Sequence, residues 1–343
     1  MAQIWSLRFL FFCFFSGAMT ENVYPKLCIR NFNLSVITKK SSYRDIDDII
    51  SKINGMGIED QLNALITIRT YFKIMQDVAK EEIVKQLIED IKRNLIDNFV
   101  NSVDYERLKL HEIFLFKLRS LSCLLKSSIY TPNYDLAFEY VMDSLRIEYK
   151  DGFTGFVNRV FDARTFMSKD KVTLVKLHGS VNWKIDGQKI KEVQPLFSSG
   201  KVQINDAASV LIYPTSNKLY QTYATPYSEL MRYMLNEMEV GKNVIIVLGY
   251  KYGDEHINEI LLKALENPYN IYYFFIYDLN YKSDFIDNIC SLSDSMPNIN
   301  LLCGRIWASF STFVKYLMPA TAEKTDQEKV LELLKKVLTD DSH

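Results

Sequence analysis

Two short apolar runs end in side chains that a core strand does not need. Ile129-Tyr130-Thr131-Pro132-Asn133-Tyr134-Asp135 delivers an amide and a carboxylate just past its apolar part, and Val172 to Leu177 delivers His178, followed at once by Gly179. An imidazole changes charge near neutral pH and is suited to general-base work on a ligand hydroxyl. Asn133 and Asp135 can orient water or a polar ligand, and Thr131-Pro132 sets an extended backbone ahead of Asn133. Each residue also has a plainer role. Asp135 is a good N-cap for a helix beginning near Leu136, and His178 can be a loop histidine satisfied by backbone groups.

A third apolar run, Asn243 to Leu248, leads into Gly249-Tyr250-Lys251-Tyr252-Gly253-Asp254 and a helix from His256. Glycine there allows close backbone approach to a ligand, and the helix N-terminus favours an anion. A tight turn with Asp254 as N-cap accounts for the same residues. In an open α/β sheet, ligands bind beyond the carboxyl ends of the strands. Three such ends in one parallel sheet would bring these side chains to one cleft.

The elements that must position them alternate. Strands are expected at Leu7 to Phe15, Ile129-Tyr130, Val172 to Leu177, Ser209 to Tyr213, Asn243 to Leu248, Ile271 to Tyr277 and Asn300 to Cys303. Helices are expected at Leu136 to Leu145, Pro226 to Glu239, His256 to Glu266, Phe310 to Leu317 and Gln327 to Leu338. Such alternation predicts a mostly parallel α/β sheet with helices on both faces. From Tyr43 to Ser127 the pattern is helical, with Ile83, Leu87, Ile91 and Leu95 at four-residue spacing. That segment reads as a helical insertion (43–127) between the first and second strands of a domain spanning 1–318, with 319–343 a C-terminal linker and helix. Asp151 to Phe156 reads as a loop, and Gly55-Met56-Gly57 as a helix-to-helix turn rather than a dinucleotide fingerprint.

Composition narrows the function classes. The chain has 343 residues, 48% hydrophobic and 24% charged, with a formal net charge of −1, so no global basic surface argues for direct nucleic-acid binding. Five cysteines, none in C-x-x-C spacing, exclude a four-cysteine zinc ribbon and predict reduced thiols. There is no G-x-S-x-G, H-E-x-x-H or P-loop lysine motif, which disfavours serine hydrolysis, zinc proteolysis and Walker-type ATPase chemistry. No metal is expected. The apolar stretch Ile4 to Phe15 before Ser16-Gly17-Ala18 is too short to span a membrane, which takes ~20 residues. It reads as a buried strand in a cytoplasmic protein, with a leader cleaved at Ala18, and hence secretion, as the alternative.

Four segments in order, Thr131-Pro132-Asn133-Tyr134-Asp135, Lys176 to Trp183, Leu211-Ile212-Tyr213-Pro214 and Gly249 to Asn258, resemble the sirtuin-like NAD-hydrolase domains of bacterial anti-phage defence. The likeness covers roughly residues 129–318 and is nearest the sirtuin-like subunit that partners a HerA-type ATPase. The resemblance implies a Rossmann-like sheet with a helical insertion, NAD as substrate, a homo-oligomer and an ATPase partner. It implies Asn133 and His178 as catalytic residues, Asp135 supporting Asn133, and Gly249, Gly253, Asp254 and His256 near the adenosine half of NAD. Gly17, Ala18, Thr131 and Gly179 complete the binding set that it implies. The chain departs from the family's Gly-Ala-Gly-x-Ser loop: Met19 stands for the second Gly and Glu21 for the Ser. A methionine there blocks close backbone approach, and a carboxylate repels a pyrophosphate. The alternative is therefore a catalytically weak nucleotide-binding or scaffold subunit of a defence complex.

Overall fold

Inside the first apolar run lies β1 (Arg8–Cys13), and it is the middle strand of the main sheet. A computed structural model describes residues 8–13, 41–56, 58–168, 170–198, 201–204, 225–277 and 283–319. After β1 come the helices α1 (Asp47–Ile53), α2 (Ile58–Ile74), α3 (Val78–Ser102) and α4 (Lys109–Ser120). The chain then runs through β2 (Ser127–Thr131), α5 (Ala137–Ser144), β3 (Tyr149–Lys150), β4 (Phe153–Thr154), β5 (Val160–Phe161) and β6 (Val172–Lys176). Four short strands follow: β7 (Trp183–Asp186), β8 (Lys189–Glu192), β9 (Leu196–Ser198) and β10 (Lys201–Gln203). Next are α6 (Tyr227–Glu239), β11 (Asn243–Leu248), α7 (Glu255–Ala264), β12 (Ile271–Ile276), α8 (Asp284–Ser293) and β13 (Ile299–Cys303).

Seven strands form one sheet in the order β13-β12-β11-β1-β2-β6-β3, and every neighbouring pair is parallel. This is the α/β, Rossmann-like architecture expected from the alternation of elements. Its central strands are apolar on both sides because helices cover both faces. Ile129 and Ile246 pack into one core with residues of α1 to α5, while Tyr130, Ile245 and Val247 pack into the other with α6, α7 and α8. The helices after β1 therefore share a core with the sheet rather than standing apart from it. Phe11 meets the edge of Phe114 from α4 at a centroid distance of 5.1 Å and an interplanar angle of 89°.

Several elements differ from expectation. The stretch from Tyr105 to Lys126 is broken: short 3₁₀ turns at Tyr105–Arg107 and Leu124–Lys126 flank α4, and Ser122 takes a positive φ of 56° where α4 ends. Phe310–Thr312 is a single α turn followed by a π turn over Phe313–Leu317. The loop expected at Asp151 to Phe156 instead opens an antiparallel sheet, β4-β5-β8-β7. Gly152 is needed there for space as well as for its φ of +90°, because a Cβ would lie 2.7 Å from the Phe161 ring and 2.9 Å from that of Phe166. Those strands are too short for a period of two to register in sequence. The strand expected at Ser209 to Tyr213 and the helix at Gln327 to Leu338 lie outside the described residues. Among the described residues no helix is long and apolar enough to cross a membrane, and Cys123, Cys290 and Cys303 are free thiols.

Phe114 is wholly buried and touches Phe11, Phe138 and Phe310. Phe114→Ala is expected to cost about 3–5 kcal/mol by opening a cavity between the helical layer and β1. The midpoint of urea unfolding measures this.

Candidate functional site

The parallel register sets the site. Thr131 in β2 pairs with Lys176 in β6, so Asn133 and His178 each lie two residues beyond the same rung, at the carboxyl edge. The backbone at Asn133 is fixed by its own N–H, which donates to Thr131 Oγ1 at 3.1 Å. Thr131 is buried, and its hydroxyl accepts the bond that shapes the turn. The Leu177 N–H donates to the Thr131 carbonyl at 2.8 Å, which prolongs the pairing to the last residue before His178. Gly179 turns the chain with a φ of 88°, its N–H donating to the Lys176 carbonyl at 3.1 Å. Val181 N–H and Ser180 Oγ both donate to the Tyr134 carbonyl, at 3.0 and 3.3 Å, and lock the two strand ends together.

Asp135 is buried, and its Oδ1 accepts the Ala137 N–H at 3.0 Å. The N-cap of α5 is Leu136 rather than Asp135, so the carboxylate closes a turn one residue earlier than expected. Lys176 is almost fully buried. Its Nζ donates to the Asp135 carbonyl and pairs with Glu139 Oε1 of α5 at 3.3 Å. Burial raises the Glu139 carboxyl above its ordinary range, and the Lys176 charge opposes the shift. This ion pair pins the start of α5, and hence the loop carrying Asn133, against β6.

From the other side of β1 comes β11, paired Phe12 to Val247 and Cys13 to Leu248. Gly249 follows with a φ of 72°, and Tyr252 also takes a positive φ, 55°. The Tyr250 hydroxyl donates to the Asp254 carbonyl at 2.9 Å and accepts the Asp254 N–H at 3.1 Å, which folds the turn over its own ring. Asp254 is the N-cap residue of α7, as expected, but its side chain makes no capping hydrogen bond. Gly253 is exposed.

The outcome is a contact that sequence reasoning did not foresee. His178 Nε2 lies 3.0 Å from His256 Nε2, both rings are buried at 5% exposure, and Asp254 offers a carboxylate within 4.8 Å of both. His178 follows β6 and His256 follows β11, and β1 and β2 lie between those strands in the sheet. The two rings therefore meet over the carboxyl ends of the central strands, where β1 gives onto crossovers in opposite directions. Seventy-eight residues separate them, and no local spacing could have paired them. Gly17 and Ala18 lie outside the described residues.

A second polar cluster braces the segment after His178. Arg159 Nη2 grips both Asp151 oxygens at 2.7 and 2.9 Å, while its Nη1 pairs with Glu192. Asn182 Nδ2 donates to Glu192 Oε1 at 2.9 Å. One buried and one half-buried carboxylate facing one guanidinium leave a net negative charge. Burial, followed by repulsion from Asp151, pushes the Glu192 carboxyl up to about 7. His111 goes the other way: buried against Phe138 and Phe310 in the core, it is lowered to about 4 by desolvation. It belongs to the packing of α4.

The family described as SIR2-like domain matches residues 127–282, from the first residue of β2 to beyond β12. The matched span holds Asn133, Asp135, His178, Gly249, Asp254 and His256, and it leaves out β1 and the helices that follow it. No curated protein sequence matches the chain significantly.

Lys176→Ala should leave Glu139 buried without a cation and cost about 3–5 kcal/mol. Adding Glu139→Gln should recover a large part of it, as a double-mutant cycle in urea would show. A carboxyl raised on folding contributes stability below its unfolded pKa, and that stability is lost as pH rises through the folded value. The wild type should therefore lose stability relative to Glu192→Gln between about pH 5 and 8. His111 is common to both proteins and cancels in the difference of their melting temperatures across that range.

Proposed function

We propose that this protein hydrolyses NAD at the nicotinamide–ribose bond, giving nicotinamide and ADP-ribose. The observation that carries this reading is the alignment of Asn133 and His178 beyond one rung of a parallel sheet, inside the span that matches the SIR2-like domain. Ligands of such sheets bind at that edge. The bond to be broken leaves through an oxocarbenium-like transition state. The departing nicotinamide is cationic before cleavage and neutral after it, so no strong acid is needed. Positioning then supplies much of the effect.

His178 Nε2 is the atom suited to take a proton from a ribose hydroxyl or water. Asn133, half-buried at the strand end, offers both a donor and an acceptor to hold that water or the ribose. Asp135 and Lys176 fix the backbone that presents it. The positive-φ glycines 179 and 249 leave the main chain bare of Cβ atoms on either side of the edge. At the start of α7, Asp254 and Glu255 oppose a pyrophosphate but suit the hydroxyls of the adenosine ribose. The wider setting we infer is defence by NAD depletion, with the chain in a homo-oligomer beside a HerA-type ATPase in the cytoplasm.

A second reading is a nucleotide-binding or scaffold subunit of such a complex with weak catalysis. It is favoured by the His178 Nε2 contact with His256, which engages the base, and by Met19 and Glu21 at the sequence positions where the resemblance has Gly and Ser. Chromatography of NAD incubated with the protein, alone and with the partner ATPase, separates the two. Nicotinamide release that falls by about 10²–10⁴ in His178→Ala and in Asn133→Ala is the expected result for the hydrolase. Nucleotide-dependent thermal stabilisation without release would identify the binding subunit.

A further inference from the structure

We propose that His178, Asp254 and His256 form a binding site for a divalent transition-metal ion, and that an ion there occupies the Nε2 atom of His178. Two buried imidazoles face each other through Nε2 atoms 3.0 Å apart, and a half-buried carboxylate stands within 4.8 Å of both. Two histidines and a carboxylate make a donor set suited to zinc, cobalt or nickel. Metal–nitrogen bonds of about 2.0–2.1 Å to both rings would subtend about 90° at the present separation. That angle suits a five- or six-coordinate ion. A tetrahedral one needs the nitrogens about 3.4 Å apart, a movement of a few tenths of an ångström. Without an ion, a hydrogen bond between the rings requires one to donate and the other to accept; an ion lets both present lone pairs.

The surroundings support the placement. Tyr250 clamps the main chain of Asp254 on both its N–H and its carbonyl, so the carboxylate starts from a fixed backbone. His256 sits in the first turn of α7, whose N-terminus disfavours a cation, and the charges of Asp254 and Glu255 offset that. One ring comes from the strand end that also carries the hydrolysis in the reading above. On that reading, which this consequence rests on, metal binding and base catalysis compete for one atom. The site would then hold the protein inactive when the ion is bound.

The test uses the full chain, stripped with a chelator and then given zinc or cobalt. Metal retained after gel filtration is measured by mass spectrometry, and cobalt coordination by visible absorption. The expected result is stoichiometric retention, weakened more than about 100-fold in His256→Ala, beyond the ~10–100-fold typical of losing an outer-sphere partner. Asp254→Asn should weaken it less, and Lys251→Ala, an exposed change in the same turn, should leave it unchanged. Circular dichroism confirms that each variant is folded, and His256→Gln replaces any that is not. No retention by the wild type, or retention in the His256 variant equal to that of the wild type, overturns the site. NAD turnover is read separately. Turnover in stripped protein that zinc suppresses supports the competition, and turnover unchanged by zinc bound at the site overturns it. Protein without turnover in any state would count against the hydrolase while the retention data still judge the metal site.

Discussion

Everything at the candidate site depends on one constraint: adjacent parallel strands in register, so that equivalent residues end at one edge. Phe12 in β1 pairs with Tyr130 in β2 on one side and with Val247 in β11 on the other, and Tyr130 pairs with Val175 in β6. A slip of one residue anywhere along that row would exchange the two faces of a strand buried on both sides. It would also move Asn133 or His178 out of step. The two cores hold the register because they take alternate residues: Ile246 and Leu248 on one side, Ile245 and Val247 on the other. The edge is thus placed by packing well below it.

Several charged groups near that edge are buried or half-buried, and they pair with one another. Lys176 and Glu139 neutralise one another beneath the Asn133 loop. Arg159 answers Asp151 and, in part, Glu192 beneath the segment after His178. A buried ion pair contributes little net stability but penalises any arrangement that separates its partners. Such pairs suit places where a loop must keep one conformation. The antiparallel sheet β4-β5-β8-β7 carries the second cluster, two of its strands preceding β6 in the chain and two following His178.

The contact between His178 and His256 gives the site two possible states. In one, the rings satisfy each other or share an ion, and the base nitrogen is engaged. In the other, the rings are parted and that nitrogen is open at the sheet edge. The turn from Gly249 to Asp254, which joins β11 to α7, sets the position of the His256 ring.

The sequence by itself determined the alternating α/β order, the central apolar strands and the residues that leave them. Runs such as Asn243 to Leu248 are legible because a strand buried on both faces is continuously apolar. Asn133 and His178 stand out because a polar residue so soon after such a run has no packing reason to be there. The antiparallel sheet after Gly152 was not legible, since two-residue strands carry no periodicity. Nor were the partnerships of Lys176 with Glu139 and of His178 with His256. Those belong to the order of strands in the sheet. Local sequence encodes which residues form a strand, whereas the placing of β1 and β2 between β11 and β6 follows from how the helices pack on both faces. Only the tertiary structure decided that the two histidines meet.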